Sequence, residues 1–416
     1  MVIKLNDFSS PLQTQIEYNF KASPTKRGLY LANNLMSKFP RIQDLEQIAS
    51  RKIPPFIYAY LSAGTGRGDT MARNRSALDD ITFTPELMHG HFTPNLETKI
   101  LGRSYALPFG VAPIGASSMI WPLSEHHLSA TAARANIPYT LSTVAGASIE
   151  DIGNKISELS WFQLYAPYDR DITHSLLDRA KNANMHVLMV TGDVPAPSRR
   201  EDMRKAGAPI GSTNATRITP KMLLQILMHP KWAYDALELK GKLRFKNLER
   251  YAPKNSAEPI SKFIARQLHG SLNWDYLAEI RKYWSGQLLL KGVLRPSDAL
   301  RAIDIGVDGI VVSNHGGRQF DANPAAISVL PSVRQAVGPN FPLIFDSGIR
   351  SGLDILRALA LGADFVLIGR PFLYGIAAIG RNGGDHVVHI LENEISDALV
   401  QMGAKNMSEL RQRLNN

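Results

Sequence analysis

At 416 residues, with 44% apolar and 20% charged side chains, the chain has the composition of a globular protein with a large buried core, at a size that one decorated α/β barrel reaches. It holds no cysteine, which excludes disulfides, zinc–thiolate sites, iron–sulfur clusters and covalently attached haem. The formal net charge is +10, and eleven Lys/Arg against three acids between Arg204 and Lys254 concentrate +8 in one segment, a patch suited to nucleic acid, an anionic membrane or an acidic partner.

The N-terminus, Met1 to Phe8, offers no basic start, apolar run or small-residue cleavage site, and no stretch approaches the roughly 18 uninterrupted apolar residues of a spanning helix, so a cytoplasmic protein is expected. Residues 1–40 are rich in Asn, Ser, Lys and Thr and read as an arm of no assigned function, ahead of one domain over 41–416. Ile42 to Ser62 predicts two short helices parted at Pro54 and Pro55, an N-terminal helical extension. Thr84 to Arg103 predicts loop and short strands over a barrel floor.

Eight short apolar runs follow, at 107–112, 138–143, 161–165, 186–193, 287–293, 309–315, 341–348 and 363–370. Such runs suit strands buried on both faces, and most intervals hold an amphipathic stretch, such as Glu125 to Ala135, Ser297 to Ile305 or Gly352 to Leu361. The alternation predicts an α/β fold, a (β/α)8 TIM barrel. One interval is far longer: about ninety residues part the fourth and fifth runs, an insertion at about 201–275 that contains the basic segment.

The apolar runs end in groups that can hold a ligand or do chemistry. These are Ser142, Gln163 and Tyr165, Thr191 and Asp193, Lys291, Ser313 and His315, Asp346 and Arg350, and Gly369 with Arg370. In an α/β barrel the C-terminal strand ends carry the site. Asp346-Ser347-Gly348-Ile349-Arg350, leading into a helix, and Gly369-Arg370 after the eighth strand combine approachable backbone N–H groups, a helix N-terminus and two guanidiniums, which predicts a phosphate site. Ser142, Gln163 and Thr191 suit the polar edge of a pyrimidine-like ring. Lys291 across from them suits the N1 and O2 side of a reduced flavin; the alternative for Lys291 is a salt bridge to a carboxylate inside the barrel.

His315 and Arg318 lie three residues apart past the sixth strand. Arg318 with Arg200 can grip a substrate carboxylate, and histidine is the residue type suited to take or give a proton near neutral pH. Asp193 can orient the imidazole, and Tyr60 and Tyr165 can complete the carboxylate and hydroxyl contacts. The expected chemistry is oxidation of a small 2-hydroxy acid, carried by His315, Asp193, Tyr165 and Lys291.

Ser313-Asn314-His315-Gly316-Gly317-Arg318-Gln319, Asp346 to Arg350, Ile368-Gly369-Arg370-Pro371 and Trp161-Phe162-Gln163-Leu164-Tyr165 resemble the FMN-dependent 2-hydroxy acid dehydrogenase and oxidase family, which includes glycolate oxidase, bacterial L-lactate dehydrogenase and (S)-mandelate dehydrogenase. The resemblance runs from about Ile42 to Leu410. It implies substrate contacts at Tyr60, Tyr165, Arg200, His315 and Arg318. It implies FMN contacts at the backbone of Ala112, Pro113, Ile114 and Gly115, and at Ser142, Gln163, Thr191, Lys291, Ser313, Asp346, Ser347, Gly348, Ile349, Arg350, Gly369 and Arg370. His315 would act as base while a hydride, or its carbanion equivalent, passes to the flavin. A homo-oligomer, usually a tetramer, is implied as well.

Three departures bear on the reading. Gly115 stands where oxidases often carry Ala and dehydrogenases Gly. Val144 replaces an aromatic residue of the glycolate oxidase pocket, which leaves room for a larger substrate; L-lactate is expected first and (S)-mandelate second. Thr191 to Arg200 keeps the Thr, the Asp and the second Arg of the family pattern but varies around them; Arg199 and Arg200 adjoin, and Arg200 is taken as the substrate ligand.

Within the insertion, Thr219 to Tyr234 is apolar, bounded by Pro and flanked by Lys and Trp, and resembles the membrane-binding segment of the bacterial lactate and mandelate dehydrogenases. It predicts peripheral contact with the inner membrane face through 219–250 and electron transfer to a quinone or another acceptor, the alternative being a lid over the barrel mouth. Flavin barrels of other chemistry would lack the His315, Arg318 and Arg200 set, and no nucleic-acid partner is expected, since that role has no need of polar strand ends.

Overall fold

Each of the eight apolar runs forms a parallel strand, and together they close on themselves. In a computed structural model of the chain, which describes residues 34–207, 219–237, 244–253, 260–268 and 272–415, the strands are β1 (Phe109–Val111), β2 (Tyr139–Ser142), β3 (Ser160–Leu164), β4 (Val187–Thr191), β5 (Gln287–Val293), β6 (Gly309–Val312), β7 (Leu343–Phe345) and β8 (Phe365–Ile368). Neighbours pair in chain order and β8 pairs with β1, which makes the closed (β/α)8 barrel. Helices follow the strands outside; Ser124–Ala135, Pro296–Ile305 and Gly352–Ala360 agree within a residue with the amphipathic stretches. The arm before residue 34 and part of the basic segment lie outside the described residues.

The extension is two helices, Ile42–Lys52 and Pro55–Ser62, with Pro55 in the first turn of the second, where its missing N–H costs no bond. Ordered packing begins ahead of them: Phe39 is buried, and its carbonyl accepts from His386 Nε2 at 2.9 Å. A third helix, Asp69–Asp79, has no counterpart in the sequence reading. The strands over the floor form an antiparallel hairpin, Thr98–Ile100 with Arg103–Tyr105.

Side-chain alternation inside the barrel divides floor from mouth. Tyr105, Trp161 and Phe365 meet at ring-centroid distances of 5.6 to 6.4 Å, and with Met189, Leu289, Val311 and Ile344 they fill the lower interior. Successive inward positions are two residues apart. Trp161 is therefore followed inward by Gln163, Met189 by Thr191, Leu289 by Lys291, Val311 by Ser313 and Ile344 by Asp346. Apolar contacts hold the barrel shut below while the next inward layer is polar. Register brings that layer together: Ser142 pairs with Gln163, and Thr191 with Lys291.

Most of the strands end one to three residues before the limits that apolarity suggested. After β6 and β7 the chain turns away through left-handed residues: His315, Gly316 and Gly317 at φ 59°, 63° and 73°, and Ser347 and Gly348 at φ 97° and 92°.

The insertion contributes Pro220–Leu227 and Pro230–Leu237, docked on the barrel through Met222 and Trp232. Trp232, one of the residues flanking the apolar segment, is buried, edge-on to Phe56, and its Nε1 donates to the Ile120 carbonyl at 2.9 Å. The solvent face of the same two helices is apolar, with Leu223, Leu224, Leu227, Met228, Tyr234 and Leu237 all more than half exposed. Among the described residues, no helix is long and apolar enough to cross a membrane.

Candidate active site

A cavity of about 340 Å³ opens at the C-terminal end of the barrel. Its walls include Tyr60, Ala112, Pro113, Ile114, Gly115, Gln163, Tyr165, Thr191, Arg200, Lys291, His315, Arg318, Asp346, Ser347, Gly348, Ile349, Arg350, Gly369 and Arg370. Three of the expected residues stand just behind the wall. Ser142 and Ser313 are buried beneath it, and Asp193 lies behind His315.

The turn after β6 aims the imidazole. His315 Nδ1 lies 3.1 and 3.2 Å from the two Asp193 oxygens, and its Nε2 lies 3.4 Å from the Tyr165 hydroxyl. The His315 backbone N–H donates to Ser313 Oγ at 3.0 Å, which fixes the start of the turn. Gly292, left-handed at φ 102° in the β5 bulge, lets Asp193 approach; a Cβ there would stand 2.5 Å from the Asp193 Cβ. Burial alone would raise the Asp193 carboxyl, but His315 and Lys291 hold it below the usual carboxylate range. A carboxylate so held fixes Nδ1 as the protonated ring nitrogen and leaves Nε2 to accept a proton at the cavity side.

Guanidiniums surround the other side. Arg318 donates to the carbonyls of Leu61 and Tyr60 at 3.1 and 2.6 Å, and its guanidinium carbon lies 5.3 Å from the Tyr60 ring centroid. Arg370 donates to the carbonyls of Leu61, Gly316 and Ala63 at 3.1 to 3.3 Å. Neither makes a salt bridge among the described residues. Burial, then Arg200 and Arg370, pulls Arg318 well below its usual value; burial, then Arg350, brings Arg370 down to about 10. A guanidinium keeps its proton across the physiological range, so these shifts mark cations whose repulsion an anion would relieve. Arg200 lines the cavity and donates to Ser198 at 2.8 Å, whereas Arg199 points away and pairs with Glu201 at 3.2 Å.

The polar layer below is internally satisfied. Ser142 Oγ donates to Gln163 Oε1 and Gln163 Nε2 to Thr191 Oγ1, each at 2.9 Å. Lys291 Nζ lies 2.7 Å from Asp346 Oδ2 and donates to Ser313 Oγ at 2.6 Å, so the salt bridge left open as an alternative is made. Both partners still line the cavity. At the phosphate loop, carboxylates already occupy the N–H groups of Arg350 (Asp354, 2.8 Å) and Gly352 (Glu394, 2.6 Å). The groups left there that could meet an anion are the Arg350 and Arg370 guanidiniums and the N-terminus of Arg370–Ile379, more than helix Gly352–Ala360. A polar layer at the base of the cavity, a buried ammonium and arginines without a salt bridge at one end fit FMN in donor type and charge.

Sequence reasoning missed the supports of this site. Asn74 and Asn314 are buried and exchange side-chain hydrogen bonds of 2.9 and 2.7 Å, and Asn314 Oδ1 accepts the Gly317 N–H at 3.2 Å. Asp321 accepts three N–H groups of the 67–70 turn at 2.8 to 3.1 Å. Asn314 stood inside the histidine motif and was passed over, while Asn74, 240 residues away in sequence, carried no local signal.

The family model for FMN-dependent dehydrogenases matches residues 49–416. The L-lactate dehydrogenase of Pectobacterium atrosepticum is 37% identical over 369 residues, 88% of this chain and 94% of that protein. An L-lactate dehydrogenase of Yersinia pestis is 36% identical over 88% of this chain and 95% of its own length. Among solved structures, the monotopic membrane protein (S)-mandelate dehydrogenase superposes with a TM-score of 0.84 at 31% identity, covering 91% of this chain and 99% of that one. A mandelate oxidase does so with a TM-score of 0.76 at 30% identity, covering 91% and 98%.

Proposed function

The chain belongs to the family of FMN-dependent dehydrogenases and is an FMN-dependent 2-hydroxy acid dehydrogenase; from that premise we propose that it oxidises L-lactate to its 2-oxo acid and passes the electrons to a quinone or another acceptor. One observation carries the reading most: His315, backed by Asp193 at 3.1 Å, faces the cavity beside Arg318 and Arg370, which make no salt bridge among the described residues. FMN when bound supplies the acceptor for the substrate's two electrons and α-hydrogen.

Arg350 and Arg370 hold the phosphate. Lys291, Gln163 and Thr191, with Ser142 and Ser313 beneath them, hold the ring edge, and the backbone of 112–115 with Gly369 lines its face. Arg318 and Arg200, helped by Tyr60, grip the substrate carboxylate. Tyr165 orients the hydroxyl, and His315 Nε2 takes the hydroxyl proton as the α-hydrogen leaves with its electron pair. Asp193 stabilises the resulting imidazolium.

L-lactate comes first because the curated relatives named above are L-lactate dehydrogenases. (S)-Mandelate is the second candidate: Val144, Met203 and Leu268 give the cavity an apolar wall, and the mandelate enzymes are the structural neighbours. Anaerobic stopped-flow reduction with a panel of (S)-2-hydroxy acids tests the order; a faster reduction by mandelate than by lactate reverses it. Turnover in air against turnover with a quinone separates oxidase from dehydrogenase.

The exposed apolar face of 220–237, together with Lys221 and Lys231, supports peripheral docking on an anionic membrane. Cosedimentation with anionic vesicles at low salt tests this, and protein left in the supernatant contradicts it. The proposed assembly is a homotetramer, which a native mass measurement tests.

A further inference from the structure

The phosphate loop has two consecutive left-handed residues, Ser347 and Gly348, and is held from behind by residues that do not line the cavity. Arg75, on helix Asp69–Asp79, donates from Nη1 to the Gly348 carbonyl at 2.8 Å and to Asp354 Oδ2 at 2.6 Å, and from Nη2 to Asp79 Oδ1 at 3.0 Å. Asp354 is fully buried, and the same Oδ2 accepts the backbone N–H of Arg350 at 2.8 Å. Arg357 donates to its other oxygen at 3.0 Å. One guanidinium therefore sets both ends of the Gly348–Arg350 segment, through a carbonyl at one end and a carboxylate at the other.

We propose that Arg75 is a positioning residue for the phosphate end of FMN, holding the Gly348–Arg350 backbone so that the Arg350 guanidinium meets the phosphate; the proposal rests on the assignment of the phosphate to Arg350 and Arg370. The Arg350 side chain has few other restraints: its Nη1 donates to its neighbour's carbonyl, that of Ile349, at 2.8 Å, and the guanidinium carbon lies 5.8 Å from the Tyr374 ring centroid. Its backbone, and so the origin from which the guanidinium reaches, is placed by Asp354. Without Arg75, Asp354 keeps Arg357 alone as a side-chain cation, and the Gly348 carbonyl loses its donor. Among the described residues, Arg75 makes no hydrogen bond or ion pair with the ring end of the cavity at Lys291, Gln163 and Thr191. Loss of the clamp should therefore weaken recognition of phosphate and spare recognition of the ring.

Riboflavin carries the same ring without the phosphate and separates the two. Apoprotein of the wild type, Arg75→Met and Arg75→Lys is titrated with FMN and with riboflavin, following the quenching of flavin fluorescence. Wild type should prefer FMN, and Arg75→Met should raise the FMN Kd roughly ten- to a hundred-fold, the scale of a lost hydrogen-bonded charge, with the riboflavin Kd unchanged. Arg75→Lys should fall between, since an ammonium keeps the charge opposite Asp354 but sits on a shorter side chain and lacks the second nitrogen that anchors the guanidinium on Asp79. If Arg75→Met does not accumulate as folded protein, Arg75→Lys decides on the same ratio. An unchanged FMN Kd, or an equal loss for both ligands, overturns the proposal. A wild type that does not distinguish FMN from riboflavin overturns the phosphate assignment and the proposal with it.

Discussion

The reach of His315 depends on a backbone conformation that few non-glycine residues adopt, at φ 59°. A residue there costs of order 1 kcal/mol, and the strain is balanced by what it secures, with Asp193 on one ring nitrogen and the cavity on the other. Because the Asp193 carboxyl is held low, the sign of its pH linkage is settled. Its contribution to stability is fully present above the unfolded aspartate value of about 3.9 and is lost as pH falls through the lower folded value. Asp193→Asn should melt below wild type at neutral pH, with the gap closing as the pH drops under about 3.9; a gap independent of pH contradicts the pairing. At the substrate side, Arg318→Met should raise KM and lower kcat together, since the carboxylate grip also orients the α-carbon. A loss in kcat/KM of roughly a hundred-fold is expected, the scale of a buried charge-assisted pair, and steady-state kinetics check it. Gly115 makes a steric prediction: a Cβ would stand 2.7 Å from Val144 Cγ2, so Gly115→Ala should slow turnover and added Val144→Ala should restore part of it. Double-mutant kinetics with no recovery would place the effect elsewhere.

At the scale of elements, the polar layer of the candidate site was legible because Gln163, Thr191, Lys291, Ser313 and Asp346 lie two positions beyond an apolar inward residue on the same strand, a pattern that needs no knowledge of distant contacts. Where each strand stops was less legible, since left-handed backbone at His315 and Ser347 leaves no mark in hydropathy. The helix Asp69–Asp79 was missed for a related reason. Its value lies in Asn74 and Arg75, whose partners Asn314, Gly348 and Asp354 are more than 200 residues away. The insertion divides in the same manner. Its apolarity was visible, but which face turns inward depends on Phe56 and Ile120, and these took Trp232 for the barrel. Leu224→Ser with Leu227→Ser should therefore abolish vesicle cosedimentation while leaving lactate-dependent flavin reduction at the wild-type rate. Reduction lost along with binding would mean that these helices serve the barrel and not a surface.

At the scale of the molecule, an apolar floor and a polar mouth sit in one closed sheet, so the fold that buries the core also sets the register of the site. The cavity carries an excess of cation at the ends where we propose that a carboxylate and a phosphate bind, and a histidine–aspartate pair between them. That arrangement is the central claim, and anaerobic stopped-flow reduction of the bound flavin tests it most directly. Mixed with L-lactate, wild type should bleach in a single turnover and D-lactate should leave it oxidised. His315→Ala should keep its FMN yet reduce at least roughly a hundred-fold more slowly, the scale of a lost general base. Reduction of His315→Ala by L-lactate at near the wild-type rate would contradict the account.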